Sequence, residues 1–570
     1  YMILKYQTER NCINKKSVKK QKNITNREYQ SEKKMKKLFL MILTAVLAFS
    51  LCGCQANGNI KNRSFLDEET PIETEKTDKS GGKTGIELWS FEIPENGDIS
   101  SFLETYKDSG ADYIDFRILW SSFEVEKGKY NWEFFDNIMN QITEAGYSAG
   151  VSLVFWTNGL SFKDEIEKQK TAEGEIYAFD ESRTEFPSIA SEENQKIMFA
   201  TVQALANHVA ERYSETTELW QVLISAFGDA GYSSDKDLDY GESAVSAFYK
   251  FLEEKYKTAE AFTEAYPSIY INDFANLTEM EITELTAACA YDWKEFKQKT
   301  LSDFQAEIGK IFKAADSSIP FQLFFGGIED TKAAVYRGFY DPYSTDKIVA
   351  ADVYSTTLNQ DTPVTFIIDY LADTTGKKVG LTVYEEDLTE DTKNTLVAAA
   401  ENGNINRICF ETSEEAENIE FIKEIANAVR TADSNDNENN DANENNGDEE
   451  NTNEPETVFF INTADFILRA PAENLYVSLR EEYLSASENG TKRVSFITDT
   501  MIADDKENTP SELTSAVSGE YYYITTTASE KLIQKNISVI CPENTEIEFR
   551  DEHRKEIPEE TAAVLSGLFD

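Results

Sequence analysis

Carboxylate side chains stand at the ends of several short apolar segments of this chain. Asp229 and Glu385 each come just after such a segment, and Glu411 ends a third one. Two carboxyl groups that face one reacting atom can divide the work of proton donor and nucleophile between them. The carboxylates at these segment ends, Asp229, Glu385 and Glu411 among them, are therefore candidates for such a pair.

Aromatic and charged side chains accompany these carboxylates. Sugar faces stack on aromatic rings and sugar hydroxyls bond to charged groups, so this mixture suits a neutral polyol. Hydrolysis of a glycosidic bond needs two carboxyl groups, which the same segment ends supply. A carbohydrate is accordingly the expected partner. The candidate substrate-binding residues are Trp89, Glu92, Arg117, Trp120, Trp156, Tyr354 and Glu411.

The composition excludes several other kinds of chemistry. The 570 residues contain only two histidines, His208 and His553, which leaves little room for histidine-based nucleophilic catalysis or a multi-histidine metal site. The formal net charge of −49 disfavours nucleic acid, because binding to phosphates needs a basic face. Six cysteines are too few for a disulfide scaffold. We expect neither a metal nor a cofactor.

The body of the chain alternates strand-like and helical segments. Eight strand-like segments occupy 86–93, 111–119, 147–156, 217–227, 319–326, 347–354, 377–384 and 405–411. Helical patterns occupy 132–145, 191–213, 362–375, 388–402 and 413–430. Eight strand–helix units predict a (β/α)8 TIM barrel over 85–430, whose active site lies at the carboxyl ends of the strands. A doubly wound sheet is the alternative, but no glycine-rich nucleotide loop follows the first strand.

Three further regions belong to this organisation. The longest insertion, 230–318, is helical by pattern and rich in aromatic residues, and such an insertion commonly shapes a substrate pocket. Residues 431–456 are rich in Asn, Asp and Glu, which predicts an acidic disordered linker. Beyond it, 457–570 carries alternating β-branched and aromatic runs, which predict a small β-rich, sandwich-like domain of unknown role.

The N-terminal residues look like an address for export. Basic residues are followed by a short apolar run at 38–51, too short to span a bilayer of about 30 Å and typical of a signal peptide. The run ends in Leu51-Cys52-Gly53-Cys54, which resembles a bacterial lipobox with Cys54 as the lipidated residue. We expect an upstream extension at 1–34, a lipoprotein signal peptide at 35–53, a flexible tether at 54–84 and a membrane-anchored protein on the bacterial cell surface. An ordinary signal peptide is the alternative.

Three segments resemble one enzyme family. Residues 110–133 are similar to the second-strand signature of clan A glycoside hydrolases, and 218–232 resemble the fourth-strand motif of the family 42 β-galactosidases. Residues 240–275 resemble the family 42 helix that leads into an aromatic stretch. The resemblance implies a TIM barrel that cleaves β-galactosides or related β-glycosides by a retaining mechanism.

The resemblance also implies roles for individual residues. Asp229 falls at the acid/base position and Glu385 at the nucleophile position, with Arg117 and Tyr354 beside the nucleophile. The tryptophans would wall the sugar site. Two departures stand out. The family has Asn-Glu where this chain has Gly228-Asp229, and the family's zinc-binding cysteine cluster is missing, with only Cys289 in the insertion.

Each assignment has a structural alternative. Asp229 could be a turn residue or a helix cap, and Glu385 competes with Glu386 and with a role at the start of a helix. Arg117 could form a purely structural ion pair, and each tryptophan could be packed in the core.

The sequence therefore supports two main hypotheses about function. The first is a surface-anchored, retaining glycoside hydrolase, and the second is a catalytically inactive, glycan-binding barrel in which Asp229 is the remnant of a lost acid. An interaction module carried by 457–570, with the barrel as a spacer, is a third. The oligomeric state is not predicted.

Overall fold

We analysed a computed structural model of the chain. The chain divides into residues 1–79 and residues 80–570, and the first part lies wholly outside the described residues. The described residues are 84–91, 93–179, 183–226, 228–233, 235–328, 331–358, 364–384, 387–401, 405–412, 418–443, 458–461, 463, 483–484, 495–498, 500–501, 521–524 and 547–550.

Eight parallel strands form a closed barrel. They are β1 (Gly85–Ser90), β2 (Tyr113–Leu119), β3 (Ser148–Val154), β4 (Thr217–Leu223), β5 (Gln322–Phe324), β6 (Val353–Thr357), β7 (Val379–Val383) and β8 (Ile405–Glu411). Their order in the sheet is β4-β3-β2-β1-β8-β7-β6-β5. A parallel bridge between Trp220 and Phe321 joins the two edges, so the ring is complete. The predicted TIM barrel is confirmed.

Helices surround the barrel and build the insertion. They are α1 (Ser100–Tyr106), α2 (Trp120–Phe123), α3 (Trp132–Glu144), α4 (Glu192–Arg212), α5 (Glu242–Tyr256), α6 (Ala259–Ala265), α7 (Ile282–Ala288), α8 (Ala290–Ala315), α9 (Thr331–Arg337), α10 (Pro342–Val349), α11 (Val364–Thr375), α12 (Glu390–Glu401) and α13 (Ile419–Asn443). Two 3-10 turns, Lys163–Glu165 and Phe274–Glu279, and two short hairpins, Glu124–Glu126 with Lys129–Tyr130 and Ala178–Phe179 with Thr184–Glu185, complete the described elements.

Alternating residues of each barrel strand face opposite ways. Ile86 and Leu88 of β1 pack outwards with the buried face of α13, which includes Ile422 and Ile425. The next residue inwards, Glu87, faces the barrel axis. The apolar strand faces therefore hold the helices, and the barrel interior is left to other side chains.

The barrel interior is unusually polar. Arg407 Nη1 donates to Glu87 Oε2 and to Gln322 Oε1, both at 3.2 Å. Gln322 Nε2 donates to Gln221 Oε1 at 3.0 Å, and Gln221 Nε2 donates to Asp115 Oδ2 at 3.1 Å. These bonds join β8, β1, β5, β4 and β2 across the axis. A connected network of this kind satisfies buried polar groups that would each be costly alone.

The sixth strand differs from its prediction. An apolar run at 347–354 predicted a strand, but α10 occupies Pro342–Val349 and β6 begins only at Val353. Pro342 stands at the start of α10, Asp341 caps it by accepting from Ser344 N, and Ala350 ends it in the left-handed conformation. These end signals outweigh a short apolar run, which fits a buried helix as well as a strand.

The insertion after β4 is helical, as predicted. Its helices bury a separate hydrophobic core, whose members include Phe248, Phe262, Leu285 and Trp293. The long helix α8 then returns to the barrel, where Phe312 stacks on Trp220 of β4 with ring centroids 4.7 Å apart. The insertion is therefore a folded subdomain fixed to the barrel wall.

The region after the barrel contains a parallel sheet. Its described strands are β9 (Val458–Ile461), β10 (Ser495–Thr498), β11 (Tyr521–Ile524) and β12 (Ile547–Arg550), in the order β10-β9-β11-β12. All three pairings are parallel. A sandwich is built from antiparallel sheets, so these strands are β-rich as predicted but not sandwich-like. Parallel pairing needs crossover connections, which the alternation pattern of single strands does not reveal.

This sheet is docked on the barrel through α11. Phe496 of β10 packs edge-on against Phe366 at 4.9 Å, and its backbone N–H donates to Asp373 Oδ2 at 2.7 Å. Tyr483 donates its hydroxyl to the buried Asp369 at 3.0 Å. Helix α13 also continues to Asn443, into the predicted linker, whose remaining residues 444–456 lie outside the described part. No helix among the described residues is both long and apolar enough to cross a membrane.

We predict a pH-dependent contribution to stability from Glu87. Its burial raises its pKa from 4.5 to about 7, against the lowering effect of Arg407. The neutral carboxyl therefore stabilises the fold fully below pH 4.5, and this contribution falls as the pH rises towards about 7. The side chain introduced by Glu87→Gln cannot ionise. The free energy of unfolding of this variant should therefore rise relative to that of the parent, by up to about 3 kcal/mol, between pH 4.5 and about 7.

Urea unfolding between pH 4.5 and 8 measures this difference. The control is Glu126→Gln, because the Glu126 side chain is 64% exposed and its ion pair with Lys129 lies on the surface. Profiles of Glu87→Gln and parent that run parallel throughout would contradict the prediction.

Candidate active site

Four of the predicted binding residues meet at the carboxyl ends of the strands, which we call the barrel mouth. Trp89 on β1 is paired in register with Glu411 on β8. The Arg117 guanidinium carbon lies 3.5 Å from the centroid of the Trp89 ring. Trp156, after β3, stacks on Phe91 at 5.4 Å. The barrel thus joins residues that are more than three hundred positions apart in the sequence.

Arg117 is the most constrained of these side chains. It is 2% exposed, its Nη1 donates to Gly228 O at 3.1 Å, and its Nε has no hydrogen-bond partner among the described residues. No described carboxylate lies within ion-pair distance of it. Stacking on Trp89 contributes about 2 kcal/mol at most when desolvated, which is less than the cost of burying an unpaired charge. An anionic group beside Arg117 would therefore be needed to offset the cost of burying its charge.

Apolar side chains fill the layer next to Arg117. Val154, Leu223 and Phe324 form one buried cluster, and Phe91 and Trp156 pack against it. Leu223 and Phe324 are the last residues of β4 and β5. This side of the mouth consequently offers ring and aliphatic surface rather than polar groups.

Asp229 lies in a tight turn over the ends of β4 and β5. It is 1% exposed, and both oxygens of its carboxylate are engaged: Oδ1 accepts from Gly231 N at 2.9 Å and Oδ2 from Arg337 Nε at 3.0 Å. Burial raises the pKa of Asp229, while the Arg337 guanidinium opposes that rise. The bond from Gly231 N is that of a turn residue, the structural alternative for Asp229, and the ion pair with Arg337 adds to it.

Glycines allow this close packing. Gly228 has φ +70°, and a Cβ there would lie 2.7 Å from the Phe91 ring. Gly326 has φ +68°, and a Cβ there would lie 2.6 Å from Asp229 Oδ2. Larger residues would displace the turn from the mouth at both positions.

Tyr354 does not lie at the mouth, where the strand prediction had placed it. It is the second residue of β6, near the amino end of the strand, and its side chain points outwards. Its hydroxyl donates to Asp346 Oδ1 on α10 at 2.6 Å. The misplaced start of the strand caused this error, because a strand at 347–354 would have ended at Tyr354.

Trp120 is also a core residue rather than a wall of the sugar site. It is fully buried, packs edge-on against Phe155 at 4.7 Å, and donates its indole N–H to Glu124 Oε2 at 2.6 Å. Glu124 also accepts from Thr201 Oγ1 and from Gly128 N, both at 2.6 Å. Much of the 110–133 segment therefore serves to clamp α2 and a hairpin onto α4.

Several predicted site residues lie outside the described residues. They are Glu92, Glu385, its competitor Glu386, and Cys54. The described chain reaches the mouth at Tyr384, whose ring lies 6.0 Å from that of Trp89, and resumes at Asp387.

Metal ligands are not gathered in the described part of the chain, which contains no group of three or more His, Cys, Asp or Glu side chains able to hold an ion. Cys289 and Cys409 are buried free thiols there.

Sequence reasoning missed Arg337, Phe91, Phe324 and Tyr384. Phe91 carries a signal, since it comes two residues after the inward-facing Trp89, just beyond the end of β1. Arg337 carries none, because it pairs with a residue 108 positions away and follows a strand of three residues.

We predict that Arg337→Leu destabilises the protein by about 3–5 kcal/mol, because it leaves the Asp229 carboxylate buried without its cation. Adding Asp229→Asn should recover part of this loss. Arg212→Leu is the matched control, since its ion pair with Asp136 has a 50% exposed arginine and should be worth about 1 kcal/mol or less. Denaturant midpoints measure all three, and equal losses for Arg337→Leu and Arg212→Leu would contradict the assignment.

The sequence of the barrel is similar to that of known β-galactosidases. The sequence model of glycoside hydrolase family 42, described as β-galactosidase, matches residues 91–378. A β-galactosidase LacZ of Lactobacillus acidophilus is 21% identical over an alignment of 259 residues, and the match covers 40% of this chain and 35% of that protein. A β-galactosidase BbgII of Bifidobacterium bifidum is 22% identical over 208 residues, 35% of this chain and 27% of that protein. The matched stretches thus span about a third of the length of these curated relatives or less.

Solved structures share the fold. The β-galactosidase of the psychrophilic Marinomonas ef1 superposes with a TM-score of 0.57 at 15% identity, covering 85% of this chain and 79% of that one. A catalytic mutant of Gan42B, a family 42 β-galactosidase from G. stearothermophilus, gives a TM-score of 0.58 at 15% identity, covering 85% of this chain and 74% of that one. Since the family match covers just over half of the chain and lies on the barrel, the protein belongs to glycoside hydrolase family 42, the β-galactosidase family.

Proposed function

We propose that the barrel hydrolyses β-galactosides or closely related β-glycosides with retention of configuration. The observation that carries the proposal is the set of Trp89, Arg117, Tyr384 and Glu411 at the mouth of a family 42 barrel. The partly exposed rings of Tyr384 and Trp156 suit a sugar ring, whereas Trp89 is 1% exposed and holds Arg117. The name of the family and of the relatives supports galactose as the sugar.

Glu385 is the proposed nucleophile. It follows Tyr384 directly in the sequence, and Tyr384 lies at the mouth with its ring 6.0 Å from that of Trp89. Arg117 is a buried cation without a described carboxylate partner, and a carboxylate after β7 would offset its charge. In the first step Glu385 attacks the anomeric carbon, the glycosidic C–O bond breaks, and the leaving oxygen takes a proton. Water then releases the sugar, and a carboxyl separation of about 5–5.5 Å is expected.

Asp229 is the proposed proton donor within this mechanism. To act, it must exchange its bond to Arg337 or to Gly231 for one to the leaving oxygen. Its shorter side chain makes this demanding, because a misplacement of about 1 Å can cost about 100-fold in rate.

The engagement of both Asp229 oxygens favours a second candidate, a barrel that binds glycans without turnover. In this candidate the aromatic residues and Arg117 hold a sugar, and no group protonates the leaving oxygen.

We predict that Glu385→Ala lowers hydrolysis of a dinitrophenyl β-galactoside at least about 10³-fold, whereas Glu386→Ala retains most of it. Asp229→Ala should still cleave this activated substrate, because its leaving group needs no proton. The same variant should no longer hydrolyse lactose. Release of dinitrophenol and of glucose measures the two reactions. Azide should restore Glu385→Ala and yield the α-galactosyl azide, since a single displacement inverts the anomeric carbon.

Three outcomes would change the proposal. Loss of hydrolysis in Glu386→Ala alone would identify Glu386, not Glu385, as the nucleophile. Equal activity of Asp229→Ala and parent on lactose would remove Asp229 as the acid. Galactoside binding without turnover of either substrate would establish the second candidate.

We further propose that Cys54 anchors the protein to the outer face of a bacterial membrane. The lipobox-like Leu51-Cys52-Gly53-Cys54 after an apolar run supports it. When the protein is made in a bacterial host, Cys54→Ala should partition into the aqueous phase of Triton X-114. The neighbouring control Cys52→Ala should partition into the detergent phase. Partition of Cys54→Ala with the detergent would contradict the anchor.

A further inference from the structure

The long helix α8 presents polar side chains to the segment after β4, residues 228–241. Gln305 Nε2 donates to Ala230 O at 3.1 Å, and Lys297 Nζ lies 3.5 Å from the centroid of the Tyr232 ring. Both side chains are buried, Gln305 at 0% and Lys297 at 2% exposure. The insertion therefore contacts the rim of the barrel through two buried polar residues.

This contact leaves polar atoms without hydrogen bonds. Lys297 Nζ, Ser302 Oγ and Gln305 Oε1 are buried on α8 and have no hydrogen-bond partner in the described part of the chain. A buried polar atom without a partner costs free energy, which hydration restores when the atom is exposed. Separation of α8 from the segment after β4 would relieve this cost, so the contact is one at which local opening is favoured.

The charged groups around Lys297 do not compensate its burial. Asp239 and Asp237, both in the segment after β4, favour a charged amine, and Lys294 on α8 opposes it. Asp237 is already paired with Lys294 at 2.6 Å, and Asp239 Oδ1 accepts from the backbone N–H of Lys170 at 3.2 Å. Burial therefore outweighs the two carboxylates and lowers the pKa of the Lys297 amine from 10.5 to about 7.

Tyr232 connects this lysine to the rim of the barrel. Its backbone N–H donates to Arg337 O at 3.0 Å, and the Arg337 side chain in turn holds the Asp229 carboxylate. Helix α9 also brings Tyr336 to this region, where its ring centroid lies 4.9 Å from Lys294 Nζ. A movement at the buried lysine would therefore reach the Asp229 turn through Tyr232 and Arg337.

We propose that Lys297 is a proton-linked latch between α8 and the segment after β4. The closed latch holds a neutral amine, and opening exposes this amine to water, where it takes up one proton. Between about pH 7 and 10.5 a lower pH therefore favours opening, and below about pH 7 the effect ends because the closed latch is protonated as well. The latch does not depend on turnover, and it would make the position of the Asp229 turn sensitive to pH.

The test is amide hydrogen exchange of the full-length protein, read by mass spectrometry at about pH 7.5 and about pH 9.5 and corrected for intrinsic rates. Protection of 231–241 should be at least about tenfold and at most about 100-fold lower at the lower pH, because opening takes up one proton. Lys297→Met keeps the buried stem but cannot take up a proton, so it should lose most of this difference. The matched control is Lys299→Met, which removes a lysine that is 53% exposed on the same helix and should behave like the parent.

The amides of β8 separate local from global opening. Protection of 231–241 should be lower than that of β8 at both pH values, since the latch opens without unfolding the barrel. Lys297→Gln, which is also neutral, repeats the test in case Lys297→Met has a lower thermal midpoint than the parent. The proposal is overturned if the parent shows no pH dependence, if both neutral variants keep it, or if 231–241 and β8 are equally protected.

Discussion

The buried charge of Arg117 is the constraint on which the barrel mouth depends. A guanidinium at 2% exposure must be held by rings, carbonyls and an opposite charge. Trp89 provides the ring and Gly228 the carbonyl. The turn after β4 can approach this closely because residue 228 is a glycine, since a Cβ there would lie 2.7 Å from the Phe91 ring. The proposed nucleophile, Glu385, would supply the remaining anion. One cation therefore contacts both a tryptophan of β1 and the turn after β4.

Buried polar side chains elsewhere in the barrel are also hydrogen-bonded to one another. Below the mouth, Glu87, Arg407, Gln221 and Asp115 belong to one hydrogen-bonded network across the axis. At the rim, the ion pair of Asp229 with Arg337 ties the loop after β4 to the helix after β5. The same turn engages both oxygens of the Asp229 carboxylate, through Gly231 N and Arg337 Nε. The two candidate functions therefore differ in whether this carboxyl can exchange one of these bonds for a bond to the leaving oxygen.

Much of the fold could be predicted from the sequence because local periodicity and packing agree. The segment predicted as the eighth strand is strand β8 at Ile405–Glu411 without any shift, and the apolar stripe of α4 predicted that helix to within a residue at each end. Site residues were harder, because side-chain direction depends on register. A strand start six residues too early placed Tyr354 at the mouth. The ion pair of Asp229 joins residues that only the closed barrel brings together, so no local pattern could predict it.

The central claim is that the mouth gathers a carboxylate nucleophile at Glu385 beside Arg117. Trapping with 2-deoxy-2-fluoro-β-galactosyl fluoride tests it most directly, because fluoride leaves without protonation and the behaviour of Asp229 does not enter. The anomeric C–F bond breaks as the carboxylate oxygen bonds to that carbon. Peptide mass spectrometry should find one fluorogalactosyl group on Glu385. Absence of labelling, or a label on Glu386 or Glu411, would contradict the account.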